Sequence, residues 1–331
     1  MFTRFLTLLI ILLVATSGSG VGQQACKTIE LPVGVISVTG DVFRGLAPED
    51  FDAHIQKKPV GLKSLTYDDG PRRILIVVDT NRKLSADTHK AEGIMVETLL
   101  AGARPKDTFA LLPARGPGRE VDFTDDRRAI TEAMSAAGKE GKEPGVLDTV
   151  MAGIEHFGVP QSGDAIVVIA ADLEGNHKTN AKTVAKALEE HRIRLFGLAL
   201  GPVMTRNSVA GGSMTSTTSQ GLAWTTPLVG DVVYNTGDEH FFPLTVNSGG
   251  LVLGAMNGDS RRSYNMGDPR LVQDIQQKAR SVSKMIGAFY RMQVEPPPLS
   301  HAEDWSLDVT DSIRKHSQQM FVLYPRALGP C

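Results

Sequence analysis

The chain has 331 residues, 41% of them hydrophobic and 22% charged, with a formal net charge of −2. That is an ordinary globular composition, long enough for about two domains. It excludes collagenous and strongly basic chains, and with no basic stripe carrying interleaved aromatics it excludes nucleic acid as the expected partner.

Arg4 precedes an apolar run from Phe5 to Ala15, and Thr16, Ser17, Gly18 and Ser19 follow it. A positive start, roughly ten apolar residues and a small-residue exit read as a secretory signal peptide over residues 1–22. The run is short of the ~20 residues that span a bilayer, and no other candidate span follows. The mature chain is therefore expected to be soluble and extracytoplasmic, either periplasmic or secreted. Two cysteines follow, Cys26 and Cys331, one near each end of that mature chain. In an oxidising compartment such a pair suggests a disulfide tying the termini together. Two other readings stand: a lipidated Cys26, which Gln23 and Gln24 fit poorly, and a free thiol at Cys331.

Residues 26–70 read as a small β-rich module. Val33–Val38 is rich in β-branched residues, Gly40-Asp41 signals a turn, and Gly45–Phe51 leads into a short helical or extended piece. Strand and helix then alternate through residues 71–290. Arg73–Val78, Thr108–Leu112, Ala165–Ala171 and Ile193–Leu200 are the strand runs. Ser85 and Asp87 open a helix whose Met95, Leu99 and Ala103 recur every four residues. Asp125 is the expected cap of the next helix. Leu147, Val150, Met151, Ile154 and Phe157 trace another, and Val184, Ala187 and Leu188 the inward face of a fourth. This order predicts an α/β fold, a doubly wound and mostly parallel sheet, with small β-rich segments flanking it at both ends.

The stretch 201–238 interrupts the alternation. Gly211–Ser219 is rich in Ser, Thr and Gly, and the stretch is predicted to be a flexible insertion anchored by one large aromatic, Trp224. Leu271, Ile275, Ala279, Val282, Ile286 and Phe289 then mark one long amphipathic helix. Pro296–Pro298 breaks the chain behind it. Residues 291–331 form a C-terminal β segment with strands near Trp305–Val309 and Met320–Tyr324.

The chemistry concentrates where two strands end. Arg73–Val78 runs into Asp79-Thr80-Asn81, and Ala165–Ala171 into Asp172-Leu173-Glu174. Open parallel sheets bind ligands at the carboxyl ends of their strands, so the two acids can converge there. The alternative is that both simply cap helix N-termini. Other constellations are weak. His156, His177, His191, His240 and His301 lack metal-ligand spacing, Ser162-Gly163-Asp164 precedes a strand instead of following one, and Gly116-Pro117-Gly118 is no phosphate loop.

Taken in order, these segments resemble the von Willebrand factor A-type domain, and more closely the bacterial secreted proteins described as acidobacterial VWFA-related. Gly45–Phe51 is similar to that family's GL-x-x-EDF module, and Ile76-Val77-Val78-Asp79-Thr80 to its first strand and metal-site loop. Phe123–Arg127 is similar to its T-D-D segment, and Ser248-Gly249-Gly250 with Tyr290 to its C-terminal part. The resemblance implies a cation site built from D-x-S-x-S, a Thr and a second Asp. Here Asp79 and Asp172 stand at the acid positions, but Asn81 and Lys83 replace the serines, and the Thr position falls on about Pro144. Hard divalent cations need oxygen ligands. Lys83 then has two readings, an ammonium replacing the ion between the two acids or a side chain in solvent. The expectation is a secreted, non-catalytic protein-binding or scaffold protein with a degenerate metal-ion-dependent adhesion site, no cofactor, and an extracytoplasmic protein partner. Its binding face would comprise Asp79, Asn81, Lys83, Asp148, Asp172, Glu174 and Trp224. The alternatives are an adhesion module holding Mg²⁺, Mn²⁺ or Ca²⁺ through Asp79, Asn81 and Asp172, and a cryptic hydrolase.

Overall fold

The computed structural model describes residues 28–37, 40–135, 144–171, 173, 178–200, 205–209, 212–216, 232–234, 241–255, 266–316 and 320–329. The signal segment, both cysteines, Asp172, Glu174 and Trp224 lie outside these residues. Within them no helix is long and apolar enough to cross a membrane.

The expected α/β fold is present. A six-stranded sheet holds β1 (Arg73–Asp79), β2 (Thr108–Ala114), β3 (Val121–Thr124), β4 (Ala165–Ala170), β5 (Arg194–Leu200) and β6 (Val252–Ala255) in the order 3-2-1-4-5-6. All neighbours are parallel except β3, which runs antiparallel to β2. Strands covered on both faces must be apolar at every position, and β4 and β5 are buried at each residue. The period of two then divides the core. Ile74, Ile76 and Val78 face α1 (Ala86–Ala101), α2 (Arg127–Ser135) and α6 (Pro269–Gly287). Leu75 and Val77 face α3 (Val146–His156), α4 (Ala181–His191) and α5 (Phe241–Asn247).

The flanks form one body. Ile29–Ser37 pairs with Phe289–Glu295 on one side and Met320–Leu323 on the other, while Gly61–Asp68 closes that sheet beyond Phe289–Glu295. A second antiparallel sheet pairs Phe51–Ile55 with Glu303–Val309, flanked by Lys58–Pro59 and Ala327–Leu328. The two sheets share a core of Val33, Val35, Phe51, Tyr290, Met292 and Trp305, among others. Tyr290 fastens the Gly45–Phe51 segment to it. Its hydroxyl donates to the Phe43 carbonyl at 3.0 Å and accepts from the Leu46 N–H at 3.2 Å.

The junction between the two bodies is cationic. Arg194 and Arg72 stack on the Phe289 ring, each 4.4 Å from its centroid. Arg194 also donates to the Met285 and Ile286 carbonyls at 3.1 Å, and Arg72 donates to Ile286. Both guanidiniums thus satisfy the last carbonyls of α6, where a helix carries partial negative charge. Burial, with Arg72 nearby, pushes Arg194 down to about 9.

Three expectations are corrected. The α2 cap is Asp126, whose carboxylate accepts from the Arg128 N–H at 3.0 Å, because Thr124 turns the chain one residue later than Asp125. Phe289 does not extend α6. The helix ends at Gly287, and Phe289 opposite Asp68 opens a strand instead. The 201–238 stretch is not structureless throughout. Thr205–Val209 pairs antiparallel with both Gly212–Ser216 and Val232–Tyr234. Thr and Val suit pleated backbone, and strand pairing is satisfied by main-chain hydrogen bonds even where composition is low in apolar residues.

Candidate functional site

The order 3-2-1-4-5-6 reverses direction between β1 and β4, and such a switch point opens a crevice at the carboxyl ends of the strands. Asp79 is the last residue of β1 and its side chain is fully buried. A buried carboxylate needs a partner. Arg115, the first residue past β2, supplies it through a direct Nη2–Oδ2 ion pair.

The backbone is arranged to deliver that guanidinium. Arg115 adopts φ +57°, a left-handed conformation that costs a non-glycine residue roughly 1–3 kcal/mol. Its N–H donates to the Pro144 carbonyl at 2.8 Å. The next residue must be glycine, since a Cβ on Gly116 would meet the Thr80 carbonyl oxygen at 2.1 Å. The loops after β1 and β2 are further joined by Thr80, whose N–H and hydroxyl both donate to the Ala114 carbonyl, at 2.9 and 3.2 Å.

Two α1 residues complete the cluster. Glu92 is buried, and its carboxyl hydrogen-bonds the His89 Nδ1 at 3.1 Å while its Oε1 has no partner. Burial, reinforced by the negative charge of Asp79 and opposed by Arg115, pushes Glu92 up to about 9. Asp79 is also raised by burial, against the pull of Arg115 and the Asn81 N–H. Two acids and one guanidinium therefore share this buried cluster, and Glu92 carries its proton at neutral pH. Such a cluster lacks a nucleophile paired with a base.

The remaining sequence-derived positions divide. Asn81 lies beside Asp79, donating its N–H to Oδ1 at 3.0 Å, and its own Oδ1 accepts from the Lys83 N–H at 3.0 Å. Lys83 is exposed, and the cation set against Asp79 is Arg115. Asp148 stands in the first turn of α3, and its carboxylate is fully committed. It accepts from the Thr179 hydroxyl and N–H at 2.6 and 2.7 Å, from the Lys178 N–H at 3.1 Å, and from the Gly145 N–H at 3.2 Å. Burial acts to raise this carboxyl, but the four donors together hold it below its ordinary value. Asp148 thus clamps the chain that returns from β4 to α4. Leu173, buried among the α3 and α4 side chains, holds the same connection from the other end. Asp172, Glu174 and Trp224 lie outside the described residues.

Sequence reasoning misses Arg115, Glu92 and His89. Glu92 leaves a trace, because it falls on the inward stripe with Thr88, Met95 and Leu99, a position where an isolated acid has no business unless paired. Arg115-Gly116 leaves a weaker one, a cation and a turn residue just past a strand adjacent to β1. Among the described residues, no group of three or more His, Cys, Asp or Glu side chains is placed to hold a metal ion.

No protein-family model and no curated protein sequence matches the chain. Solved structures do. An aerotolerance-related membrane protein from Bacteroides fragilis is similar at 15% identity, over 63% of this chain and 98% of its own, with a TM-score of 0.40. BatB from Bacteroides thetaiotaomicron is similar at 18% identity, over 64% of this chain and 100% of its own, with a TM-score of 0.37. A von Willebrand factor type A protein from Catenulispora acidiphila is similar at 7% identity, over 93% of this chain and 74% of its own, with a TM-score of 0.45.

Proposed function

We propose that this von Willebrand factor A-type chain is a secreted, non-catalytic protein-binding or scaffold protein. It meets an extracytoplasmic protein partner at the carboxyl edge of its sheet without a metal ion. The observation that carries this reading is the Arg115–Asp79 ion pair. A tethered guanidinium stands against the one described carboxylate that a cation-dependent site would use. A divalent ion 4 Å from that guanidinium would be repelled by about 8 kcal/mol at an effective dielectric of 20. The second ligand of the alternative site is also compromised, because the Asn81 amide oxygen already accepts from Lys83. The described ligands of that site, Asp79 and Asn81, do not fit a resident divalent cation, and on this reading the adhesion site is degenerate and partner capture cation-independent.

The test is thermal unfolding of the mature protein with and without millimolar Mg²⁺ or Mn²⁺. The melting temperature is expected to stay constant. A ligand present at 100 times its dissociation constant would add about 2.7 kcal/mol, a rise of several degrees. Such a rise, reversed by chelator, would overturn the reading in favour of a metal-dependent adhesion module.

A further inference from the structure

We draw no further inference here: the strongest candidate, the side-chain cluster of His89 and buried Glu92 on α1, in which the Glu92 Oε1 has no partner, belongs to the Asp79–Arg115 site already described.

Discussion

Arg115 is held in an unfavourable backbone conformation for the sake of one contact, and that contact decides what the sheet edge can accept. Removing it strands a buried carboxylate. Arg115→Ala should therefore destabilise the protein by about 3–5 kcal/mol in urea unfolding, the scale for breaking one side of a buried pair. Adding Asp79→Asn to that variant should recover part of the loss, because no charge is then left uncompensated; a double variant no more stable than the single one would show that the pair does not act as a unit. Glu92 makes a second prediction, with a sign that follows from its raised value. The folded protein keeps a proton that the unfolded chain releases above its ordinary 4.5, so stability falls as pH rises from there towards about 9. The slope approaches 1.4 kcal/mol per pH unit at most. Glu92→Gln copies the neutral form and should flatten that slope and raise the melting temperature at pH 8; an unchanged pH profile would refute it. Asp79 was legible in the sequence because strand-ending acids announce themselves. Its partner was not, because Arg115 lies 36 positions away and meets it only through the pairing of β1 with β2.

Elements were read well where their apolar period was long. The β1, β4 and β5 runs, the Ser85 cap and the inward faces of α3, α4 and α6 stand as the spacing predicts, except that Phe157 and Phe289 fall just past the ends of α3 and α6. Short elements escaped. The strand β3 and the helix α5 have only four and seven residues, and α5 contains Pro243, a residue that argues against helix unless it falls in the first turn, where it does. The pairing of Thr205–Val209 with Gly212–Ser216 escaped because a polar composition carries no apolar period to read. At this scale Asp148 is the informative position. Asp148→Ala removes the acceptor shared by the α3 start and the 178–179 turn, and should cost about 1–3 kcal/mol. Hydrogen exchange should show the Lys178 and Thr179 amides losing protection while β4 keeps its own. Unaltered protection at those amides would mean that Leu173 alone holds the connection.

For the whole molecule, the sequence displays two β-rich flanks but not that they complete each other, since pairing between distant strands leaves no local signature. That union bears on the cysteines. Ile29 and Gly329 line the same groove, three residues after Cys26 and two before Cys331. We therefore expect a Cys26–Cys331 disulfide, for which the chain-entropy model gives about 5 kcal/mol as an upper figure. Mass spectrometry of the unreduced digest should find the terminal peptides linked; both thiols alkylating without reductant, or a diacylglyceryl group on Cys26, would exclude it. The same union sets a timetable. The contact between Leu46 and Tyr290 spans 244 positions, so at 5–20 residues per second the early strands wait on the order of ten to fifty seconds for their partners to emerge from the ribosome. Throughout that interval Leu31, Val33 and Val35 lack the neighbours that bury them in the folded chain, and the α/β body is itself complete only once α6 ends at Gly287, two residues before the first of those partners.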